Sequence, residues 1–328
     1  MKKILLIIPL LFILMSCSAT KESDFTYEMV DNGYIISSYL GSNKNVILPQ
    51  NHNELPIVGI KENAFRDSKI TSITFSDSIE YIEQFAFTNS NISKLKLNSK
   101  LKTIEAYAFY GCESLNNISI PKSVEKIGAL AFYNTAYYKK QTGLVYIDDI
   151  LIGYKNNEHG DDYNLIVKEG TRLIAESAFE RPATSTTSGI ISISFPDSLE
   201  IINDRAFYKC GTLRNLDIKK VKIIGTNAFT CSLRTDHLEL NCDFVGDYAF
   251  YECNFKSLSL NCTSIGEKAF AHSWIEDEGL KEITIPEKTI YIGDYCFQGY
   301  DGLIITNHST NSFSSKWNYN IDNPYETK

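Results

Sequence analysis

No block of lysines and arginines occurs in this sequence. The chain carries 32 Lys and Arg against 40 Asp and Glu, a formal net charge of -8 at pH 7. Such a surface repels a phosphate backbone on average, so nucleic acid is not expected as a partner. Metal-binding spacings are missing too: there is no C-x-x-C and no H-E-x-x-H, and the 5 histidines, His52, His159, His237, His272 and His308, are scattered along the chain. No acid, base and nucleophile converge, which argues against an enzyme and against a bound cofactor. A membrane-spanning run is absent as well. The apolar stretch from Ile4 to Met15 would reach about 18 Å as a helix, short of a hydrocarbon core of roughly 30 Å.

What the first residues do offer is an export signal: Lys2 and Lys3, then the apolar run, interrupted by Pro9. The run ends in Leu14-Met15-Ser16-Cys17, which resembles the lipobox of bacterial lipoproteins. That resemblance implies a signal peptide over residues 1–16, lipidation of Cys17 and a short tether over 17–24. More than one acyl chain anchors stably, so membrane contact is expected through the lipid alone. Ser18 after the cysteine points to the outer membrane or cell surface. An ordinary signal peptide with a chance cysteine is the alternative.

Hydrophobic content of 43% with 22% charged residues is globular rather than disordered composition. The dipeptide Ala-Phe recurs at Phe65, Phe87, Phe109, Phe132, Phe179, Phe207, Phe229, Phe250 and Phe270, with Cys296-Phe297 as a tenth copy. Most spacings are 20 to 23 residues. Five positions before each phenylalanine stands an aliphatic: Ile60, Ile82, Ile104, Ile127, Ile174, Ile202, Ile224, Val245, Ile265 and Ile292. Between copies lie short alternating stretches such as SITF, KLKL, NLDI and EITI, each read as one half-buried strand per coil. A unit of this length cannot close its own core and is covered by its neighbours. The expected fold is therefore a mainly β solenoid: a right-handed, leucine-rich-repeat-like stack of about ten coils with a parallel strand ladder. Glycines four residues before the phenylalanine, at Gly128, Gly225, Gly246, Gly266 and Gly293, fit a backbone bend that a side chain would crowd.

The runs IGALAF and LNNISIPKSVEKIG, with the segment from Phe25 to Phe65, resemble the BspA-like leucine-rich repeat family of bacterial surface proteins. The resemblance covers residues 25–306, and weakens where LELNC and LSLNC replace the I-P-x-S pattern. It implies secretion, a non-catalytic solenoid and adhesion to host or neighbouring-cell macromolecules. The domain reading follows: an N-terminal cap over 25–57, the solenoid over 58–306 with a hairpin insertion at about 134–164, and a C-terminal cap or tail over 307–328.

Solenoid insertions fall on loops, where function concentrates. Within the first, LVYI and ILIGY flank Asp148-Asp149 and read as a hairpin with a two-residue turn, calcium ligation or catalysis being the weaker reading. The second, ERPATSTTSGI, is a Ser/Thr loop; the third, HSWIEDEG, carries Trp274 as an exposed anchor or as an aromatic folded back on the edge. Cys112, Cys210 and Cys253 each stand three residues after a repeat phenylalanine and read as buried free thiols. Cys242 and Cys262, or Cys231 and Cys253, stack closely enough to bridge in an oxidising compartment.

For recognition, Tyr110, Tyr133, Tyr208 and Tyr251 form a column one residue after the phenylalanine, and Tyr137 and Tyr138 join Tyr133 at the root of the first insertion. Tyrosine suits protein or carbohydrate contacts, although rings packed along the solenoid edge give the same pattern. The strand face is polar and without aromatics, and is the lesser candidate. Two functions compete beside the disfavoured enzyme: an interaction or adhesion scaffold for an extracellular protein ligand, and a glycan-capturing lipoprotein.

Overall fold

The computed structural model describes residues 20–155, 163–180, 190–210, 213–214, 216–272, 279–300 and 302–318. They form a β solenoid of about 11 stacked coils with parallel strands. Helix is confined among the described residues to the turn Ala136–Lys139 and a 3-10 turn at Glu22–Asp24.

Most coils contribute two strand columns rather than the single one read from the alternating stretches, and the stretch expected as a strand at NLDI forms none over 216–218. The longer ladders run through two-residue strands that end on the repeat aliphatic, such as Tyr81–Ile82, Thr103–Ile104 and Lys126–Ile127 in the first half. Leu173–Ile174, Ile201–Ile202, Ile223–Ile224 and Phe244–Val245 continue the column in the second. The alternating stretches form shorter ladders: Asn45–Ile47 with Ser72–Thr74 and Lys94–Lys96, and Arg234–Leu240 with Asn254–Leu260.

Stacked rings occupy the centre. Phe65, Phe87, Phe109 and Phe132 lie 4.8 to 5.3 Å apart with planes within 16°. A second column, Phe179, Phe207, Phe229, Phe250, Phe270 and Phe297, repeats the arrangement at 4.8 to 5.6 Å. Offset stacking adds about 0.5–1.5 kcal/mol per pair to burial of the rings. The Ala before Phe is fully buried in most coils, as at Ala86, where only a small side chain fits, and its carbonyl accepts the Phe N–H of the coil before it, as Ala86 does from Phe65 at 2.7 Å.

Two residues before every one of the ten phenylalanines the backbone is left-handed, with φ between +49° and +61° at Asn63, Phe85, Tyr107, Leu130, Ser177, Arg205, Asn227, Tyr248, Lys268 and Tyr295. A side chain there costs on the order of 1–2 kcal/mol, which the ladder bonds and the buried rings on either side outweigh.

The glycine column has a different cause from the bend read in the sequence. None of Gly128, Gly225, Gly246, Gly266 and Gly293 has a positive φ. A Cβ on Gly246 would instead lie 2.5 Å from the Thr226 nitrogen of the coil below, and one on Gly128 2.2 Å from that of Ala106. Glycine lets adjacent coils touch backbone to backbone.

The strand Gly143–Ile147 turns at Asp148-Asp149 and pairs antiparallel with Ile150–Lys155, which in turn pairs parallel with Leu173–Ile174. This hairpin divides the hydrophobic interior in two. One core runs from Phe25 to Phe132 and continues through Ile147, Ile150, Leu173, Ala175 and Ile201; the other runs from Leu151 to Trp317. Both aspartates are committed: Asp148 accepts from Ile120 N–H at 2.8 Å and Ser119 Oγ at 3.0 Å, and Asp149 pairs with Arg172 at 3.2 Å. At the ends, Phe25–Val30 pairs antiparallel with Gly33–Tyr39 against the first coil, and Trp317 packs on the last, its carbonyl accepting from Cys296 N–H at 3.1 Å.

Candidate functional site

The edge that carries the left-handed residues also carries an aromatic stripe. Phe85 stacks on Tyr107 at 5.0 Å, Tyr107 meets Tyr110 at 5.7 Å, Tyr110 stacks on Tyr133 at 5.8 Å, and Tyr133 meets Tyr138 at 5.0 Å. Each end is closed by a cation over a ring face, Arg66 over Phe85 at 5.6 Å and Lys155 over Tyr138 at 5.3 Å. The rings assemble because the positions two before and one after each phenylalanine fall side by side on this edge, and the ladder sets them one coil apart.

Tyr110 is half-buried and Tyr133 is accessible, at 41%. Tyr138 is not: it is 8% exposed, on the one-turn helix whose N-terminus Thr135 caps by accepting from Tyr138 N–H at 3.1 Å. Burial pushes its phenol up to about 12. Tyr137 is half-buried and donates its hydroxyl to the Tyr146 carbonyl of the hairpin, away from the stripe. Tyr208 and Tyr251 lie with the second ring column. Arg205 and Lys209 cover Tyr208 at 4.2 and 5.1 Å, and Tyr251 packs edge-on against Tyr248 at 5.5 Å. Cys17 and Trp274 lie outside the described residues.

Beside Tyr133 and Tyr138 the junction between the two cores opens into a cavity of about 270 Å³. Its walls include Leu130 and Phe132 from one coil, Ile152, Gly153 and Tyr154 from the hairpin, and Glu176, Ser177, Ala178 and Glu180 from the next coil. Burial, with the Asp204 charge, raises the Glu176 carboxyl, while Lys126 and an Ala129 N–H bond oppose the rise. For Glu180 burial pushes upward too, but hydrogen bonds from Arg205 and Ser177 together outweigh it and the pKa falls. Two shallower hollows of about 490 and 350 Å³ lie on the polar strand face, one between Ser257, Ser259, Glu282 and Thr284, the other beside Lys219 and Glu239.

Cys242 and Cys262 are adjacent, buried and unbonded, with Sγ atoms 2.9 Å apart. Cys231 is exposed while Cys253 is buried and donates to the Phe229 carbonyl, so those two thiols face different surroundings.

Sequence reasoning missed Phe85, Tyr107, Arg66, Lys155 and Glu176. The signal for the first two was a second aromatic column two residues before the phenylalanine, which leucine, serine and arginine interrupt.

The BspA type leucine rich repeat region model matches residues 38–144, 163–276 and 275–320, in 6 copies. The chain belongs to this family. As a BspA-type repeat protein it is similar to a leucine rich repeat protein of T. pallidum, at 21% identity over 72% of this chain and 89% of that one, with a TM-score of 0.38. A leucine-rich repeat protein of Bacteroides capillosus is 30% identical over 37% of this chain and 94% of its own, with a TM-score of 0.34. A leucine rich cell surface protein of Faecalibacterium prausnitzii is 18% identical over 87% of each chain, with a TM-score of 0.29. No curated protein matches.

Proposed function

We propose that this BspA-type repeat protein is a non-catalytic scaffold, exported and held at the cell surface by a lipid on Cys17, that binds an extracellular protein and serves adhesion. The observation that carries the reading is the aromatic stripe. Tyr110 and Tyr133 present rigid amphipathic rings in register, held from behind by Tyr107 and Tyr138 and bounded by Arg66 and Lys155. Preorganised tyrosines flanked by Arg are the residue types on which binding energy concentrates, since few rotamers are lost on contact.

A screen of matrix and cell-surface proteins against the exported chain tests it. A protein ligand at micromolar or better is expected, with Tyr110→Ala plus Tyr133→Ala weakening it about tenfold or more, each anchor contributing roughly 1–2 kcal/mol, and Tyr208→Ala leaving it unchanged. Hits confined to a glycan array, or no ligand at all, would remove the reading. In the same cells Cys17→Ser is expected to move the protein from the membrane to the soluble fraction.

A further inference from the structure

Intact junctions between coils close on the phenylalanine edge with three backbone hydrogen bonds. Tyr107, Phe109 and Gly111 donate to the carbonyls of Ala129, Ala131 and Tyr133 at 2.9, 2.8 and 3.0 Å. Asn227, Phe229 and Cys231 do the same toward Asp247, Ala249 and Tyr251 at 2.9, 2.7 and 2.9 Å. At the hairpin the matching donors are Leu130, Phe132 and Asn134, and the matching acceptors Glu176, Ala178 and Glu180. Among the described residues none of these N–H groups donates and none of these carbonyls accepts. At one end the walls touch: Glu176 N–H donates to the Ile127 carbonyl at 2.8 Å and the Glu176 carboxylate accepts from Ala129 N–H. Beyond it they enclose the 270 Å³ cavity, the bulk volume of about nine waters at roughly 30 Å³ each.

We propose that this slot receives an extended segment of a partner polypeptide, laid parallel to the coils. Its carbonyls accept from Leu130, Phe132 and Asn134, and its N–H groups donate to Glu176, Ala178 and Glu180. The slot thus supplies the contact through which the scaffold proposed above takes its protein ligand, and the inference rests on that reading.

Three features select main chain over other ligands. Donors stand on one wall only and acceptors on the other, at alternate residues, because each wall is a turn with left-handed residues, Leu130 and Asn134 in one and Ser177 in the other. Unpaired backbone groups facing each other across a slot can take a main chain as an open sheet edge takes an added strand. The acidic side chains are already engaged: Glu180 by Arg205 and Ser177, and Glu176 by the Ala129 N–H. A cationic side chain thus finds no free carboxylate, whereas a backbone finds six open groups.

Linear twelve-residue peptides displayed on phage and selected against the full chain supply the probe. Before any ligand is added, hydrogen exchange at Leu130, Phe132 and Asn134 is expected to be at least tenfold faster than at Tyr107, Phe109 and Gly111; equal protection overturns the proposal. Selected peptides are expected to slow exchange at those three amides and to lose binding tenfold or more when N-methylated at alternate residues, with the intervening residues tolerant. Gly153→Phe, which sets a ring in the cavity from a site where a Cβ meets only the Tyr138 ring, at 3.3 Å or more, is expected to abolish binding. Failure to enrich any peptide, or binding indifferent to N-methylation and to Gly153→Phe, overturns it. Peptides that bind but protect only the Tyr110 and Tyr133 stripe sink the slot and leave the protein-binding reading standing.

Discussion

Cys112, Cys210 and Cys253 turn their Sγ atoms toward the carbonyl of the phenylalanine one coil back, Phe87, Phe179 and Phe229, at 3.1, 2.9 and 2.9 Å. Ser232 makes the same bond to Phe207. The position therefore calls for a small side chain with one proton to donate, and a thiol or a hydroxyl serves. Burial pushes Cys112 up to about 11 and Cys253 up to about 12, so at pH 8 fewer than about one in a thousand is thiolate. A folded, reduced sample treated with iodoacetamide at that pH is expected to label Cys231, the exposed thiol, and to spare the buried six until urea is added. Rapid labelling of Cys112 would instead mark a reactive site. Prolonged incubation with oxidised glutathione is expected to remove three of the seven thiols counted in urea: the exposed Cys231 as a mixed disulfide, and, through local opening, Cys242 and Cys262, whose sulfurs need approach by only about 1 Å to reach bonding distance.

Among the elements, the coil edges are where backbone contact replaces side-chain contact. Gly225, Gly246, Gly266 and Gly293 each lie where a Cβ would meet the coil below at 2.3 to 2.5 Å, whereas Lys61, Glu83 and Glu105 occupy the same column in the first coils. Gly246→Ala is expected to lower stability by about 1–3 kcal/mol, as overpacking does, read as a drop in the urea midpoint with unchanged slope. No change would show that the second half can adopt the spacing of the first. The columns legible in the sequence were those that packing dictates: the Ile and Ala-Phe positions recur because each must fill the same buried place. The longer ladder escaped notice because strands of two residues, such as Thr103–Ile104, are too short to show an alternation. The left-handed positions were hidden by their occupants, since Phe85, Tyr107, Arg205 and Lys268 give no turn signal. The tyrosine column after the phenylalanines was visible, but not that Tyr138 would be buried or that the junction beside it would stay open. Both depend on how the hairpin enters the stack, a long-range matter that local patterns do not encode.

At the scale of the whole molecule, the two cores meet across a junction built unlike the others. In place of the three backbone bonds it relies on one, from Glu176 to Ile127, on Ile147, Ile150, Leu173, Ala175 and Ile201 packing into the first core, and on reaching side chains. Asn203 accepts from Ile127 N–H and donates to the Glu125 carbonyl, both at 3.0 Å, and Arg172 donates to the Val124 carbonyl at 3.0 Å. In a solenoid, stability is close to a sum of coil terms and nearest-neighbour terms, so a weak junction is where cooperativity breaks. Urea unfolding followed by hydrogen exchange is then expected to resolve two transitions, one for the coils through Phe132 and one for those from Ile174 onward. Phe250→Ala, removing a ring from the middle of the second column, costs about 3–5 kcal/mol and is expected to lower only the second transition; Phe87→Ala is expected to lower only the first. Asn203→Ala, which cuts two of the bridging bonds while leaving both ring columns intact, should widen the separation. A single transition that moves as a unit with either phenylalanine would mean that the hairpin and its polar bridges couple the cores as tightly as an ordinary coil does.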